Sequence, residues 1–364
     1  MRIGILINDV TAVGGVERVV TNTANKFHSI LGHEVEIISV FTNKNDRPSF
    51  NIDEGVQIKY INRNITTNKE NKFSKYSSII KKIHQIIEDR KYDLVLCNSI
   101  SLVLIALIIK KFAVPRKVSF KIVAWEHSQF DNVSEKFKQL RNIIYRFIDG
   151  VVTLTEQDKA LFNKINSNTR CIYNMNPFIS TTRANLNAKK VIAVGRLEEE
   201  KGFDMLIEAF SIVNKEYPDW VLNIYGEGSQ RDFLERNIND KNLQNYIKLN
   251  NFTNNIIDNY VESSIFVLSS RTESFGMVLV EAMSNGLACI SFDCKVGPRE
   301  IIKNNTDGLL VEPNNIEELA SKIINLINDS KLRNSLAENA MLKAKLFSTE
   351  TIMSEWDYFL SEMK

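Results

Sequence analysis

Hydrophobic residues along the 364-residue chain fall into short continuous runs separated by amphipathic stretches. In the first half the runs cover residues 2–8, 34–41, 56–61, 93–97, 121–125 and 150–154. They are rich in Val and Ile and show no clean alternation with polar residues, the pattern of strands buried on both faces of a parallel sheet. Between them, residues 16–29, 72–90, 134–148 and 156–165 carry apolar positions at helical spacing. Strand, turn and helix in repeated order predict βαβ units and a doubly wound sheet. The pattern stops at the polar, irregular stretch around residues 173–187, which reads as a linker. It then restarts, with strands over 190–194, 220–225, 246–249, 265–268, 288–292 and 308–311, and helices over 203–215, 231–238, 254–262 and 276–284. The end is helical, over 316–328, 331–346 and 350–363. The reading is of two Rossmann-like α/β domains, residues 1–175 and 189–345, joined by a linker over 176–188 and followed by a C-terminal segment over 346–364.

Composition narrows the class. With 44% hydrophobic and 25% charged residues the chain has ordinary globular character, which argues against disorder and coiled coil. Lys and Arg number 46 against 44 Asp and Glu, so a strongly basic nucleic-acid binder is excluded for the chain as a whole. The charge is uneven, however. Residues 66–150 hold 16 basic against 8 acidic residues, including Lys69, Lys72, Lys75, Lys81, Lys82, Lys110, Lys111, Arg116, Lys117 and Lys121, beside apolar helical runs over 76–87 and 101–109. This stretch is either a solvated basic face or a surface that rests on anionic lipid headgroups. The four cysteines, Cys97, Cys171, Cys289 and Cys294, have neither zinc-ligand spacing nor the look of a disulfide framework, so a reducing compartment is expected. The N-terminus reads as a buried strand, not a secretory signal. The longest apolar run, 102–109, falls far short of the ~20 residues of a spanning helix. The expectation is a cytoplasmic protein, with peripheral contact to the inner face of the plasma membrane as its extension.

Four loops at expected strand ends carry candidate chemistry. Gly14-Gly15 follows the first strand and opens a helix, where backbone can approach a bound group; the same pair also serves as a plain turn. Gly195-Arg196 and Lys201-Gly202 place two cations five residues apart, suited to a diphosphate or to a surface charge run. Tyr225-Gly226-Glu227-Gly228 is either a nucleotide-facing loop or a structural turn. The most informative is Arg271-Thr272-Glu273-Ser274-Phe275-Gly276-Met277, with Glu281 eight residues beyond Glu273. Two carboxylates around a strand-to-helix turn can accept hydrogen bonds from vicinal hydroxyls, and helix-start N–H groups can meet sugar or phosphate oxygens. No Asp-x-Asp pair of the kind that holds a divalent metal on donor phosphates occurs in the sequence.

Taken in order, these loops, with Glu126-His127, Gly297-Pro298-Arg299-Glu300-Ile301 and Asp307-Gly308-Leu309-Leu310-Val311, resemble the retaining glycosyltransferases of family 4, over nearly the whole chain. The resemblance implies the GT-B fold, two Rossmann-like doubly wound domains facing each other across a cleft, with the last helix crossing back to the N-terminal domain. It implies an acceptor-side first domain and a nucleotide-sugar donor domain second. Arg196 and Lys201 would neutralise the donor diphosphate, and Glu281 would hold the ribose. Glu273 would hold the transferred sugar together with the backbone of Ser274, Phe275, Gly276 and Met277. Gly14, Gly15 and Gly226 would face the donor, His127 would lie near its sugar, and Phe252 and Thr253 would contact the base. The implied reaction is a metal-independent front-face displacement with no cofactor. The segment 292–301 resembles the variant found in bacterial surface-polysaccharide enzymes that use UDP-hexoses or UDP-N-acetylhexosamines, although Lys295 and Val296 depart from it. A glycan or polyprenyl-diphosphate-linked acceptor is expected, and no nucleic acid. The alternatives are a non-hydrolysing UDP-sugar epimerase, which shares the architecture, and a catalytically silent nucleotide-binding subunit.

Overall fold

The computed structural model describes residues 1–42, 47–61, 72–113, 119–131, 133–176, 182–253 and 255–363. Lys69, Arg116 and Lys117 of the basic stretch, residues 177–181 of the expected linker, Asn254 and the side chains of Lys72 and Lys75 lie outside the described residues. The chain divides into two units, Met1–Met175 with Thr349–Lys364, and Asn176–Ser348.

Each unit is built on one parallel sheet. The first has strands β1 (Arg2–Ile7), β2 (Glu34–Ser39), β3 (Gln57–Tyr60), β4 (Leu94–Cys97), β5 (Lys121–Trp125), β6 (Gly150–Thr153) and β7 (Thr169–Cys171), in the order β3-β2-β1-β4-β5-β6-β7. The second has β8 (Lys190–Val194), β9 (Val221–Tyr225), β10 (Ile247–Asn250), β11 (Ile265–Leu268), β12 (Ala288–Phe292) and β13 (Leu309–Val311), in the order β10-β9-β8-β11-β12-β13. The continuous apolar runs are explained by burial on both faces. In β1, Ile3, Ile5 and Ile7 pack with Val19, Val20 and Phe27 of helix Gly15–Ser29, while Leu6 joins the cluster on the opposite face with Ile79, Ile83 and Val103. In the second unit, Val191 and Ala193 pack with Leu206, Ile207 and Phe210 of helix Phe203–Glu216.

The strand orders place two switch points, because the direction of winding reverses between β1 and β4 and again between β8 and β11. At such a point the two flanking connections leave on opposite faces, and a crevice opens beyond the carboxyl ends of the strands.

Three elements depart from the expected pattern. Strand β7 is only three residues of mixed polarity, too short to show a period, and it is recruited by pairing with β6. Residues Pro298–Ile301 form a one-turn helix. The helix expected over 134–148 ends at Ile144 and tightens into a 3₁₀ turn, Tyr145–Phe147. No helix among the described residues is long and apolar enough to cross a membrane.

The last helix, Thr349–Glu362, belongs to the first unit. Its stripe Ile352, Met353, Trp356, Phe359 and Leu360 recurs at helical spacing and is wholly buried in the core around β1 and β5. The Trp356 ring meets Phe27 and Trp125 edge-on, at centroid distances of 5.1 and 5.2 Å. Replacing Trp356 with Ala removes this contact and leaves a cavity, so urea unfolding should show a loss of about 3–5 kcal/mol. A loss below about 1 kcal/mol would mean that the helix adds little to the first unit.

Candidate active site

In the second unit the loops after β8 and β11, the two strands at the switch point, carry the side chains that the motifs single out. Backbone holds these loops in place. Gly195 N–H donates to the Tyr225 carbonyl at 3.0 Å, Leu197 N–H to Glu227 at 2.8 Å, and Gln230 N–H to Leu197 at 2.9 Å. A methyl group at Gly226 would stand 1.8 Å from the Gly195 oxygen, and one at Gly228 would stand 2.3 Å from that of Leu197. The close approach of two backbones therefore accounts for both glycines of the 226–228 pair. Gly202 adopts left-handed φ, 63°, ahead of helix Phe203–Glu216, and a methyl there would meet the Ser269 carbonyl oxygen at 2.1 Å.

Lys201 and Glu273 meet in an ion pair, Nζ to Oε2, at 2.6 Å, with side-chain exposures of only 17% and 13%. Ser270 Oγ donates to the same carboxylate oxygen at 3.2 Å, and Ser269 Oγ donates to the Lys201 carbonyl at 3.0 Å. The clamp on this pair is Arg271. Its guanidinium grips Asp204 at 2.8 and 2.6 Å and the Glu199 carbonyl at 2.7 Å, and its own N–H donates to the Glu200 carbonyl at 2.8 Å. Burial pushes the Asp204 carboxyl up, but Arg271 outweighs it and holds the group below the usual range. Arg271 had no assigned role in the sequence reading. Its position two residues before Glu273 was visible; its partner, 67 residues away, was not.

Arg196 takes a different partner, Glu200 at 2.6 Å, and is largely exposed. Glu281 lies in the second turn of helix Met277–Ser284, is 1% exposed and accepts from the Tyr260 hydroxyl at 3.2 Å. That helix starts after Gly276, whose φ of 106° few other residues adopt. Ser274 and Met277 flank this turn, and the ring of Phe275 is buried against Phe347, so only its backbone is available to a ligand. Phe252 and Thr253 follow β10, at the sheet edge two strands from β8; the Phe252 ring is exposed, and Thr253 Oγ1 accepts from Asn255 N–H at 3.1 Å. Among the described residues, no group of three or more His, Cys, Asp or Glu side chains is placed to hold a metal ion.

The first unit has its own switch point, and there Gly14 and Gly15 follow β1. Gly15 differs from the glycines above: apart from its chain neighbours and its own helix backbone, no atom of the described residues lies within 4 Å of where its methyl would be. At Gly14 only the flexible Glu17 carboxylate would be met. Neighbouring β4 is followed by Asn98, whose amide Nδ2 donates to His127 Nε2 at 2.8 Å, and His127 follows β5. The imidazole also packs on Trp125 at 4.7 Å. Burial drives its pKa down to about 3, so it is an uncharged acceptor at neutral pH. Asn98, which the motifs did not single out, is found by its place at the switch point. Glu126 is buried and accepts from the Tyr145 hydroxyl. Burial raises its pKa.

An unfolded histidine binds its proton near pH 6.5, and folded His127 binds it only near pH 3. Between those values the unfolded chain holds more protons, so this residue makes stability fall as pH falls. His127→Asn should therefore lose stability less steeply than the wild type on acidification through this window, and the wild-type ring should show no NMR titration above pH 5. A ring that titrates near its free value would refute the buried, neutral assignment.

Two parallel-sheet units, each presenting polar side chains and glycine turns beyond its own strand ends, give a two-domain α/β architecture with a candidate ligand crevice at each switch point. Residues 13–175 match the family described as "Glycosyltransferase Family 4", and residues 177–343 match "Glycosyl transferases group 1". An uncharacterized glycosyltransferase of Haemophilus influenzae is 30% identical over 361 residues, 98% of both chains. The amylovoran biosynthesis glycosyltransferase AmsD of Erwinia amylovora is 26% identical, covering 98% of this chain and 99% of its own. The poly(ribitol-phosphate) alpha-N-acetylglucosaminyltransferase of Staphylococcus aureus is 27% identical over 88% of this chain and 70% of its own. Among solved structures, Anabaena HepE in complex with UDP and glucose superposes with a TM-score of 0.79 at 19% identity, over the whole of both chains. The chain belongs to the glycosyltransferases of the GT-B fold.

Proposed function

We propose that the protein is a retaining glycosyltransferase that moves a hexose or N-acetylhexosamine from a UDP-sugar to a glycan or lipid-linked acceptor, in the building of a bacterial surface polysaccharide. The observation that carries this reading is the Lys201–Glu273 pair at the second switch point. It sets one cation and one carboxylate side by side where a glycosyl diphosphate offers an anion next to a polyhydroxyl ring. The names of the relatives support it. AmsD is named for amylovoran biosynthesis, and the S. aureus relative is named an alpha-N-acetylglucosaminyltransferase, which from an α-linked donor means retention. HepE binds UDP and glucose on the same fold.

On this reading Lys201 and Arg196 meet the diphosphate, Glu281 the ribose, and Glu273 the hydroxyls of the transferred sugar. The bond from the anomeric carbon to the phosphate oxygen breaks, and its electron pair leaves with the phosphate. The acceptor oxygen bonds to that carbon from the same face, and its proton passes to the departing phosphate. Negative charge thus grows on the leaving group, and a cation fixed beside it helps the transition state more than the ground state. Lys201 is better placed for this than Arg196, since it is shielded from water and screened less. His127, uncharged, spends its acceptor nitrogen Nε2 on the Asn98 amide, which leaves Nδ1–H as the ring group able to donate to a substrate oxygen. The two cations supply the charge that a divalent metal supplies elsewhere, so the reaction is proposed to need none.

Steady-state kinetics test the assignment. Lys201→Ala should lower kcat by roughly 10²–10³-fold, the scale for removing one donor to developing charge. Glu281→Ala should act mainly on the donor, raising KM by about tenfold. Glu281→Ala with wild-type KM and kcat would remove it from the site, and stabilisation by UDP with no transfer to any acceptor would point to a silent subunit. Activity should also survive EDTA; a strict divalent requirement would overturn the metal-free step.

A further inference from the structure

Helix Glu135–Ile144 and the 3₁₀ turn Tyr145–Phe147 turn one side inward, where Ile144 and Tyr145 join the core beneath them. Their outer side is unusual. Phe137, Ile143 and Phe147 are 49, 60 and 70% exposed, and half-buried Leu140 lies between them, so apolar residues recur at three and four positions on the solvent side. The fold does not need these side chains, since the helix is already anchored by its inner face. Helix Ile100–Ile108 packs beside it and adds half-buried Leu104 and Leu107. Helix Lys72–Arg90 lies over the same sheet face and exposes Tyr76.

The charges on this layer have one dominant sign. Among the described side chains of the three helices, the 3₁₀ turn and the segment Ile109–Ala113, Lys81, Lys82, Arg90, Lys111, Lys136 and Arg146 are exposed, against Asp89 and Glu135, and of the cations Arg90 is paired with Glu36 at 3.2 Å. Glu135 is moreover taken up by Lys138 at 2.8 Å. Lys136 and Arg146 stand next in sequence to Phe137 and Phe147. Apolar anchors beside basic residues are complementary to one surface above others, the anionic interface of a bilayer. There the rings enter the acyl boundary, and the cations meet phosphate headgroups. A second copy of the chain fits less well, because a two-fold contact through this face would set cation against cation.

We infer that the outer face of residues 135–147 is a docking surface by which the enzyme rests on an anionic membrane, with Ile143 and Phe147 as inserted anchors. This goes beyond the reading of the reaction, and its test is separable. The full chain is centrifuged with vesicles of phosphatidylglycerol and phosphatidylethanolamine, or of phosphatidylcholine alone, at low and high salt. The expected result is partition onto the anionic vesicles only, weakened by salt. It should fall about tenfold or more in the Ile143→Asn/Phe147→Ser double variant and comparably in Lys136→Glu/Arg146→Glu. Transfer to a soluble acceptor, and the thermal unfolding curve, should stay at wild-type values in both variants, so failure here leaves the transferase reading intact. Equal partition of the wild type and the Ile143/Phe147 variant would overturn the inference. So would a dimer in analytical ultracentrifugation that the same variant dissolves while vesicles bind neither form.

Discussion

Lys201 and Glu273 are 72 residues apart in sequence and 2.6 Å apart in space, with most of both side chains withdrawn from water. Withdrawing two charges is costly, and an ion pair alone seldom recovers the cost. The architecture is nevertheless arranged around this contact. The two residues meet because β8 and β11 are neighbours at the reversal of strand order, so that their loops leave side by side. Left-handed Gly202 brings the first loop against the second, the Ser269 hydroxyl holds the Lys201 carbonyl, and the Arg271 fork fastens Asp204. A charge pair held this way, near but not open to solvent, is prepared for exchange. An entering anion can take the ammonium and a hydroxyl group can take the carboxylate, and neither group must then be stripped of water for the first time.

The glycines divide along the same line. Gly202, Gly226, Gly228 and Gly297 each lie where a methyl group would collide with backbone of a neighbouring loop; at Gly297 the obstacles are the Phe275 and Glu273 carbonyls, at 2.8 and 3.0 Å. These residues are explained by the fold, and they matter to chemistry because they fix where Lys201 and Glu273 stand. Gly15 meets no such obstacle: among the described residues outside its own chain neighbourhood its surroundings are open.

Much of this was legible in the chain. Continuous Val- and Ile-rich runs meant parallel strands covered on both faces, and β5, β8, β11 and β12 begin and end where the pattern placed them. β10 was read one residue short at its end, but strand ends elsewhere were mostly read a residue or two long. Val40 shows why: it is apolar, wholly buried and hydrogen-bonded to Ile7, and yet lies past the end of β2. Strand β7 and the turn at Pro298–Ile301 were missed because three or four residues carry no period. In the site, sequence found the loops but not the pairings. It grouped Arg196 with Lys201 by spacing, whereas each cation has its own carboxylate. The pairings of Arg271 with Asp204, Asn98 with His127 and Tyr260 with Glu281 were invisible for the same reason, since partners that lie on different loops or helices leave no local signature.

Charge counting shows the same limit from the other side. The basic excess over residues 66–150 is a property of sequence, and folding redistributes it. Arg141 is wholly buried, its guanidinium lying over the Phe130 and Phe162 rings at 4.0 and 4.8 Å, and it contributes nothing to the surface. Lys110 and Lys121 share Asp149, at 2.9 and 3.7 Å. The positive charge that survives at the surface is smaller than the count, but it is no longer dispersed. Part of it lies on the helices covering one face of the first sheet, where Lys136 and Arg146 adjoin the exposed Phe137 and Phe147. An exposed apolar residue alone needs no explanation, and neither does a lone lysine. Their concentration on one layer, after burial and pairing have removed much of the charge that serves the fold, is the ground on which the docking proposal stands.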